Sequence, residues 1–131
     1  MATHWTERRI VITGLGLVTP LGNSVDVFWN QLITGQCGIR RITAFDPTGF
    51  DTQIAAEVRD FDPIPAFPSP KEARRTDRYS QFGAFAAWLA LKDSGLDLNK
   101  ANPDEVGAFI GSGIGGLRRR SEYRSRWDQT Q

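Results

Sequence analysis

Val106-Gly107-Ala108-Phe109-Ile110-Gly111-Ser112-Gly113-Ile114-Gly115-Gly116 is an apolar run that gives way to four glycines within its last six residues. A short apolar stretch bounded by turn residues reads as a buried strand. Glycines beyond a strand end let the backbone turn at positive φ or come close to a ligand. The stretch therefore predicts a β-strand over 106–110 and a loop after it at which binding or chemistry takes place.

Working back toward the N-terminus, Arg9-Ile10-Val11-Ile12-Thr13-Gly14 is a second β-branched run ending in glycine. It has no polar alternation, which predicts a strand covered on both faces. After it, Asn23 is a candidate helix cap. Val25, Phe28, Trp29, Leu32 and Ile33 then repeat at helical spacing, with Gly35 as the stop. Residues 37–51 mix Gly, Pro and Asp with isolated apolar side chains and predict an irregular excursion, and Ile54 to Phe61 predicts a further strand. Prolines at 63, 65, 68 and 70 exclude a helix before Lys71 and make a stiff connector. From Lys71 one long helix is expected through Trp88 and Leu91 to Ser94-Gly95, apolar nearly all round in its second half. Another helix is expected over 116–127. Strands alternating with helices make the fold class α/β.

Composition narrows the function. The chain has 131 residues, 40% hydrophobic content and a formal net charge of +1, which fits one domain over 8–131 behind a disordered leader at 1–7. No apolar run approaches the roughly 18 residues that span a bilayer. The first residues lack the zones of a signal peptide. With Cys37 as the one cysteine, no internal disulfide is possible, and a cytoplasmic setting is expected. His4 and Cys37 are each unique, too few for a metal site. Arginines crowd into 118–126, but Tyr123 and Trp127 among them fit inward packing as well as nucleic-acid stacking, and no nucleic-acid or membrane partner is expected.

Gly111, Gly113 and Gly116 satisfy G-x-G-x-x-G, the fingerprint of a dinucleotide-binding turn. That fingerprint belongs to the first strand of its fold, whereas a strand and two helices precede it here. The acidic ribose ligand due about 20 residues later would fall beyond Gln131. At the first strand, Gly14 and Gly16 are followed by Thr19 where the third glycine belongs, and Leu117 stands where a phosphate loop needs lysine. Cys37, in a turn after a helix, has nothing beside it in sequence to make it a nucleophile. Lys71, Arg74, Arg75 and Arg78 gather on the opening turns of the expected long helix, where the dipole favours acids. That conflict leaves two readings open, a solvated helix face or a docking patch for an acidic partner.

Arg8-Arg9-Ile10-Val11-Ile12-Thr13-Gly14-Leu15-Gly16-Leu17-Val18-Thr19-Pro20-Leu21-Gly22-Asn23 closely resembles the opening of the type II beta-ketoacyl-[acyl-carrier-protein] synthases. Trp29, Leu32, Gly35-Gln36, Gly38-Ile39, Phe45-Asp46, Lys71-Glu72, Arg74, Asp77, Gln81, Asp93-Ser94-Gly95-Leu96 and the glycine run from 111 to 116 follow in the same order and spacing. The resemblance runs from residue 8 to about 117; the arginine-rich stretch after it departs from the family, keeping little beyond Glu122.

The resemblance implies a partial thiolase-like fold, the N-terminal part of a layered αβαβα architecture that acts as a homodimer. In the family a cysteine takes an acyl chain from acyl-carrier protein. Two histidines assist decarboxylation of the malonyl carrier, and the resulting carbanion attacks the thioester. No redox or metal cofactor is implied. Residue by residue, the resemblance makes Ile114 a wall of the acyl-chain pocket and Lys71, Arg74 and Arg75 contacts for acyl-carrier protein. Cys37 matches a noncatalytic position, so the chain carries no catalytic residue of its own. Three functions stay open at this point: the N-terminal part of a condensing enzyme, inactive alone; a carrier-binding module without catalysis; and a dinucleotide-binding domain built on the glycine run.

Overall fold

The computed structural model describes residues 9–116. The leader expected at 1–7 and, apart from Gly116, the helix expected over 116–127 lie outside the described residues. Within them the elements are α1 (Val25–Ile33), β1 (Ile39–Arg41), β2 (Ile54–Ala56), α2 (Pro70–Arg75) and α3 (Arg78–Ser94), with single 3-10 turns at Ile64–Ala66 and Pro103–Glu105.

Helix α1 begins one residue later than its sequence suggests. Ser24, not Asn23, is the cap, its hydroxyl accepting from the Val27 N–H at 3.4 Å. Asn23 falls just after the tight turn in which Thr19 and Gly22 exchange backbone hydrogen bonds of 3.0 and 3.2 Å. The helix closes at Thr34, and Gly35 follows at φ 69°.

The expected irregular excursion contains a strand. β1 pairs antiparallel with β2 in the register Ile39↔Ala56, Arg40↔Ala55 and Arg41↔Ile54, and the Ile42 N–H extends the ladder to the Gln53 carbonyl. β2 stops at Ala56 instead of running to Phe61, because Glu57 is diverted to another task. Its carboxylate accepts from the Thr43 hydroxyl at 2.8 Å and from the Thr43 and Ala44 N–H groups at 3.0–3.1 Å, with Arg59 alongside at 3.0 Å. The Thr43 hydroxyl, the two amides and Arg59 together hold this carboxyl well below its ordinary value of 4.5, at about 2.

Two expected strands do not form. Residues 9–14 and 106–110 make no ladder hydrogen bonds, and Ile10, Ile12 and Phe109 are 94%, 82% and 99% exposed. A branched apolar run records which faces a strand must cover; it does not supply the neighbour whose amides pair with it. Both segments instead meet α3 at their C-terminal ends. A Cβ on Gly14 would stand 2.6 Å from the Ser94 nitrogen, and one on Gly16 would stand 2.6 Å from the Ala90 nitrogen and overlap the Ala86 carbonyl. These two glycines therefore let a backbone lie directly against a helix. The Leu15 N–H between them donates to the Asp93 carboxylate at 2.8 Å. Toward the other end of α3, a Cβ on Gly83 would stand 3.5 Å from the Ile110 side chain.

The long helix expected from Lys71 is two helices. Ser69 caps α2 through the Glu72 N–H, with Pro70 in the first turn, and α2 ends after Arg75. Thr76 and Asp77 are both extended, with ψ of 138° and 150°, before α3 starts at Arg78. Thr and Asp compete for backbone hydrogen bonds in ways that favour helix ends over interiors. The Thr76 hydroxyl does so by donating back to the Glu72 carbonyl at 2.8 Å. Ala73, 1% exposed, is the buried apolar centre of this joint. The second half of α3, expected to be buried on several sides, has no fully buried residue.

Packing is otherwise aromatic. Phe61 sets its ring edge-on to Phe82 and Phe85 at centroid distances of 5.0 and 5.2 Å, and Phe85 leans on Trp88 at 5.3 Å. Such pairs contribute about 0.5–1.5 kcal/mol each beyond the area they bury. Arg78 closes the cluster: its guanidinium lies 5.4 and 5.1 Å from the Phe61 and Phe82 rings and donates to the Val58 carbonyl at 2.8 Å.

Candidate functional site

Splitting the long helix changes the meaning of its cations. Arg74 and Arg75 stand in the last turn of α2, not the first turns of a longer helix. There the unpaired carbonyls and the negative end of the dipole favour positive charge. The electrostatic conflict read from the sequence is therefore absent for Arg74 and Arg75, whose guanidiniums the local field stabilises, while Lys71 in the first turn of α2 and Arg78 at the start of α3 still stand against the dipole. Lys71, Arg74 and Arg75 are all exposed, and none makes an ion pair or hydrogen bond with another described residue. Arg78, the fourth cation of the cluster, is committed to the aromatic clamp. Three cations on one exposed turn and a half of helix thus form a patch that an anionic surface can meet without breaking existing bonds.

The patch is anchored from below. Gln81, one turn into α3, reaches back with Nε2 to the Ala73 carbonyl at 2.7 Å and the Thr76 carbonyl at 3.0 Å. In the sequence Gln81 stands out only as part of the family pattern. A glutamine four residues after a helix-capping Asp, behind a basic turn, is the signal that could have singled it out.

The joint also meets the end of the glycine run. A Cβ on Gly116 would overlap the Asp77 carboxylate, and one on Gly115, at φ 74°, would stand 3.7 Å from the Tyr79 ring. The Gly115 N–H donates to the Ser112 hydroxyl at 3.1 Å. Ile114, next to this contact, is 76% exposed. The described residues therefore place Ile114 beside the start of α3 without enclosing it. Gly111 and Gly113 face open space, and no paired strand precedes them, so the strand, turn and helix context of a dinucleotide cradle is not assembled among the described residues.

An open cavity of about 390 Å³ lies toward the other end of α3, lined by Leu15, Ser24, Val25, Asp26, Leu89, Lys92 and Asp93. From Tyr79 to Asp93 the helix rises about 21 Å, so this cavity and Ile114 are separate places. Cys37 is exposed, its Sγ in a weak 3.9 Å contact with the Ile39 carbonyl. Among the described residues no group of three or more His, Cys, Asp or Glu could hold a metal, and no helix is long and apolar enough to cross a membrane.

The N-terminal domain of beta-ketoacyl synthases matches residues 7–131, and the chain belongs to that family. Among its relatives, 3-oxoacyl-[acyl-carrier-protein] synthase 2 of Coxiella burnetii is 52% identical over 111 residues, which cover 85% of this chain and 27% of the relative. A putative polyketide beta-ketoacyl synthase of Streptomyces cyaneus is 43% identical over 128 residues, 92% of this chain and 30% of the relative. The fold agrees: a ketosynthase solved with its type II polyketide acyl-carrier protein superimposes with a TM-score of 0.68 at 28% identity, over 88% of this chain and 29% of that one. A beta-ketoacyl synthase from Burkholderia phymatum gives 0.59 at 33% identity, over 75% of this chain and 24% of that one. The chain is therefore a partial, thiolase-like α/β fold, spanning little more than a quarter of the relatives it matches.

Proposed function

We propose that this chain is the carrier-docking N-terminal part of a 3-oxoacyl-[acyl-carrier-protein] synthase, the enzyme that lengthens an acyl chain by decarboxylative condensation with a malonyl carrier. The observation that carries it is the exposed trio Lys71, Arg74 and Arg75, held on the short helix α2 and in no ion pair with another described residue. Acyl-carrier protein is strongly acidic, and complementary charge at an exposed patch speeds encounter and fixes orientation. That a related ketosynthase was solved in complex with its carrier supports the same assignment. Ile114 supplies branched apolar bulk among glycines, which suits the wall of an acyl pocket completed by the rest of a full-length, homodimeric, cytoplasmic enzyme.

Condensation needs an acyl-accepting cysteine and two histidines. The chain has one cysteine and one histidine, and Cys37 sits on a turn after α1 with no histidine among the described residues to draw off its proton. The chain alone therefore docks carrier without condensing acyl groups. Reversing Lys71, Arg74 and Arg75 to glutamate should weaken binding of a bacterial acyl-carrier protein at least about tenfold at low salt. Raising the ionic strength should weaken the unaltered chain in the same direction. Affinity indifferent to both changes rules out the docking assignment. Turnover of acyl- and malonyl-carrier protein by the purified chain rules out its inactivity.

A further inference from the structure

Helix α2 has six residues, far short of the ~12–15 at which an isolated helix becomes even marginally stable in water. Its direction is therefore set by whatever ties it down. Ser69 fixes the start and buried Ala73 the middle. At the end, the last carbonyls of a helix have no partner within it. Here the Ala73 carbonyl also receives the Thr76 N–H at 3.2 Å. The one side chain reaching these carbonyls from α3 is Gln81, at 2.7 Å from Ala73 and 3.0 Å from Thr76. A primary amide has two N–H donors on one nitrogen, and two carbonyls facing it demand that nitrogen and not the amide oxygen. The pair of residues bracketed between the two anchored carbonyls is Arg74-Arg75.

Resting on the docking assignment above, we propose that Gln81 is a positioning residue for carrier recognition. It fixes the backbone on both sides of Arg74 and Arg75, and so sets the direction in which the two guanidiniums leave the end of α2 toward an acidic partner. It need not touch that partner. Without the anchor the same charges are present but splayed, so fewer engage at once, and the ordering that the amide supplies in advance must be met on binding. Glu72 lies on the same helix, and its backbone carbonyl is held by Thr76; Gln81 alone spans the joint from α3.

The test titrates the full chain with a bacterial holo-acyl-carrier protein over a range of salt concentrations. Gln81→Met keeps the length and removes both donors. It should weaken binding about three- to tenfold and flatten the dependence of log Kd on log salt, since fewer cations act together. Partial unfolding would instead scale Kd by the competent fraction and leave the slope alone. A double-mutant cycle is the second readout: neutralising Arg74 and Arg75 together should cost less in the Gln81→Met background than in the unaltered chain. Gln81→Asn, which keeps the amide on a stem too short for both carbonyls, should fall between and serves if Gln81→Met does not fold. Unchanged affinity, or weaker binding with an unchanged slope and additive costs, overturns the proposal while leaving the docking patch intact. Binding that ignores the Lys71, Arg74 and Arg75 reversals removes the patch itself, and the role of Gln81 with it.

Discussion

Residues 58–94 and the two segments that flank α3 solve the same problem with opposite success. In the first region, Phe61, Phe82, Phe85 and Trp88 meet edge to face, Arg78 caps the rings, and Gln81 ties two helices together. All these partners come from one short stretch of chain. In the second, 9–14 and 106–110 carry the more strand-like sequences, yet Ile10 and Phe109 stand 94% and 99% exposed. Local partners suffice to assemble a helix pair with an aromatic lid. A covered strand needs neighbours from elsewhere, however apolar its own sequence.

The strongest test of that contrast is association. Apolar faces of this kind make a chain self-associate, so sedimentation should show concentration-dependent oligomers. Replacing Ile10, Ile12 and Phe109 by lysine together should return the chain toward monomer. A sharp, cooperative melt of a monomeric unaltered chain would show that the faces are covered after all.

Glycine substitutions probe the contact that remains between the two regions. Gly16→Val forces side-chain atoms into the α3 backbone and should destabilise the packed unit by about 3 kcal/mol, the upper part of the overpacking range. Gly113→Ala enters open space and should change stability by less than about 0.5 kcal/mol. Urea titration followed by helical circular dichroism separates the two, and equal effects would contradict the difference in their surroundings. Within the packed region, Phe61→Ala removes the ring common to two aromatic pairs and should cost about 2–3 kcal/mol by the same measurement, below the full cost of an interior aromatic because the ring is only half-buried.

The smallest effect belongs to Glu57. Its carboxyl titrates at about 2 when folded against an ordinary 4.5, so the folded state holds the proton less readily than the unfolded one. The anchorage of Thr43 and Ala44 is complete above about pH 4.5 and is lost as the pH falls toward 2. Thr43 and Ala44 amide resonances followed from pH 6 downward should shift with that midpoint in the unaltered chain and stay flat in the Glu57→Gln variant.

Much of this was legible from residues alone. The helical spacing from Val25 to Ile33 and the Gly35 stop correspond to real boundaries, because caps and breakers act locally; the helix expected from Lys71 starts one residue earlier, since Pro70 itself takes a place in the first turn. The break at Thr76-Asp77 was hidden inside an otherwise continuous helical pattern, since what decides it is the competition of two short polar side chains for backbone groups. The strands expected near Ile10 and Phe109 do not form for the opposite reason: their pattern is clear, but pairing depends on distant chain. At the candidate site, the cations were visible as composition. Their place at a helix end and their tether to Gln81 were not, because the tether links residues five and eight positions apart across a bend.

Cys37 has a consequence for handling the protein. It is the one cysteine in the chain and its sulfur is exposed, so air oxidation can join two copies and then has nothing left to join. Covalent oligomers stop at the dimer, whereas stacking through uncovered apolar faces has no such ceiling. A non-reducing gel that shows dimer and nothing larger, beside a solution that sediments as higher species, would separate the two kinds of self-contact in a single preparation.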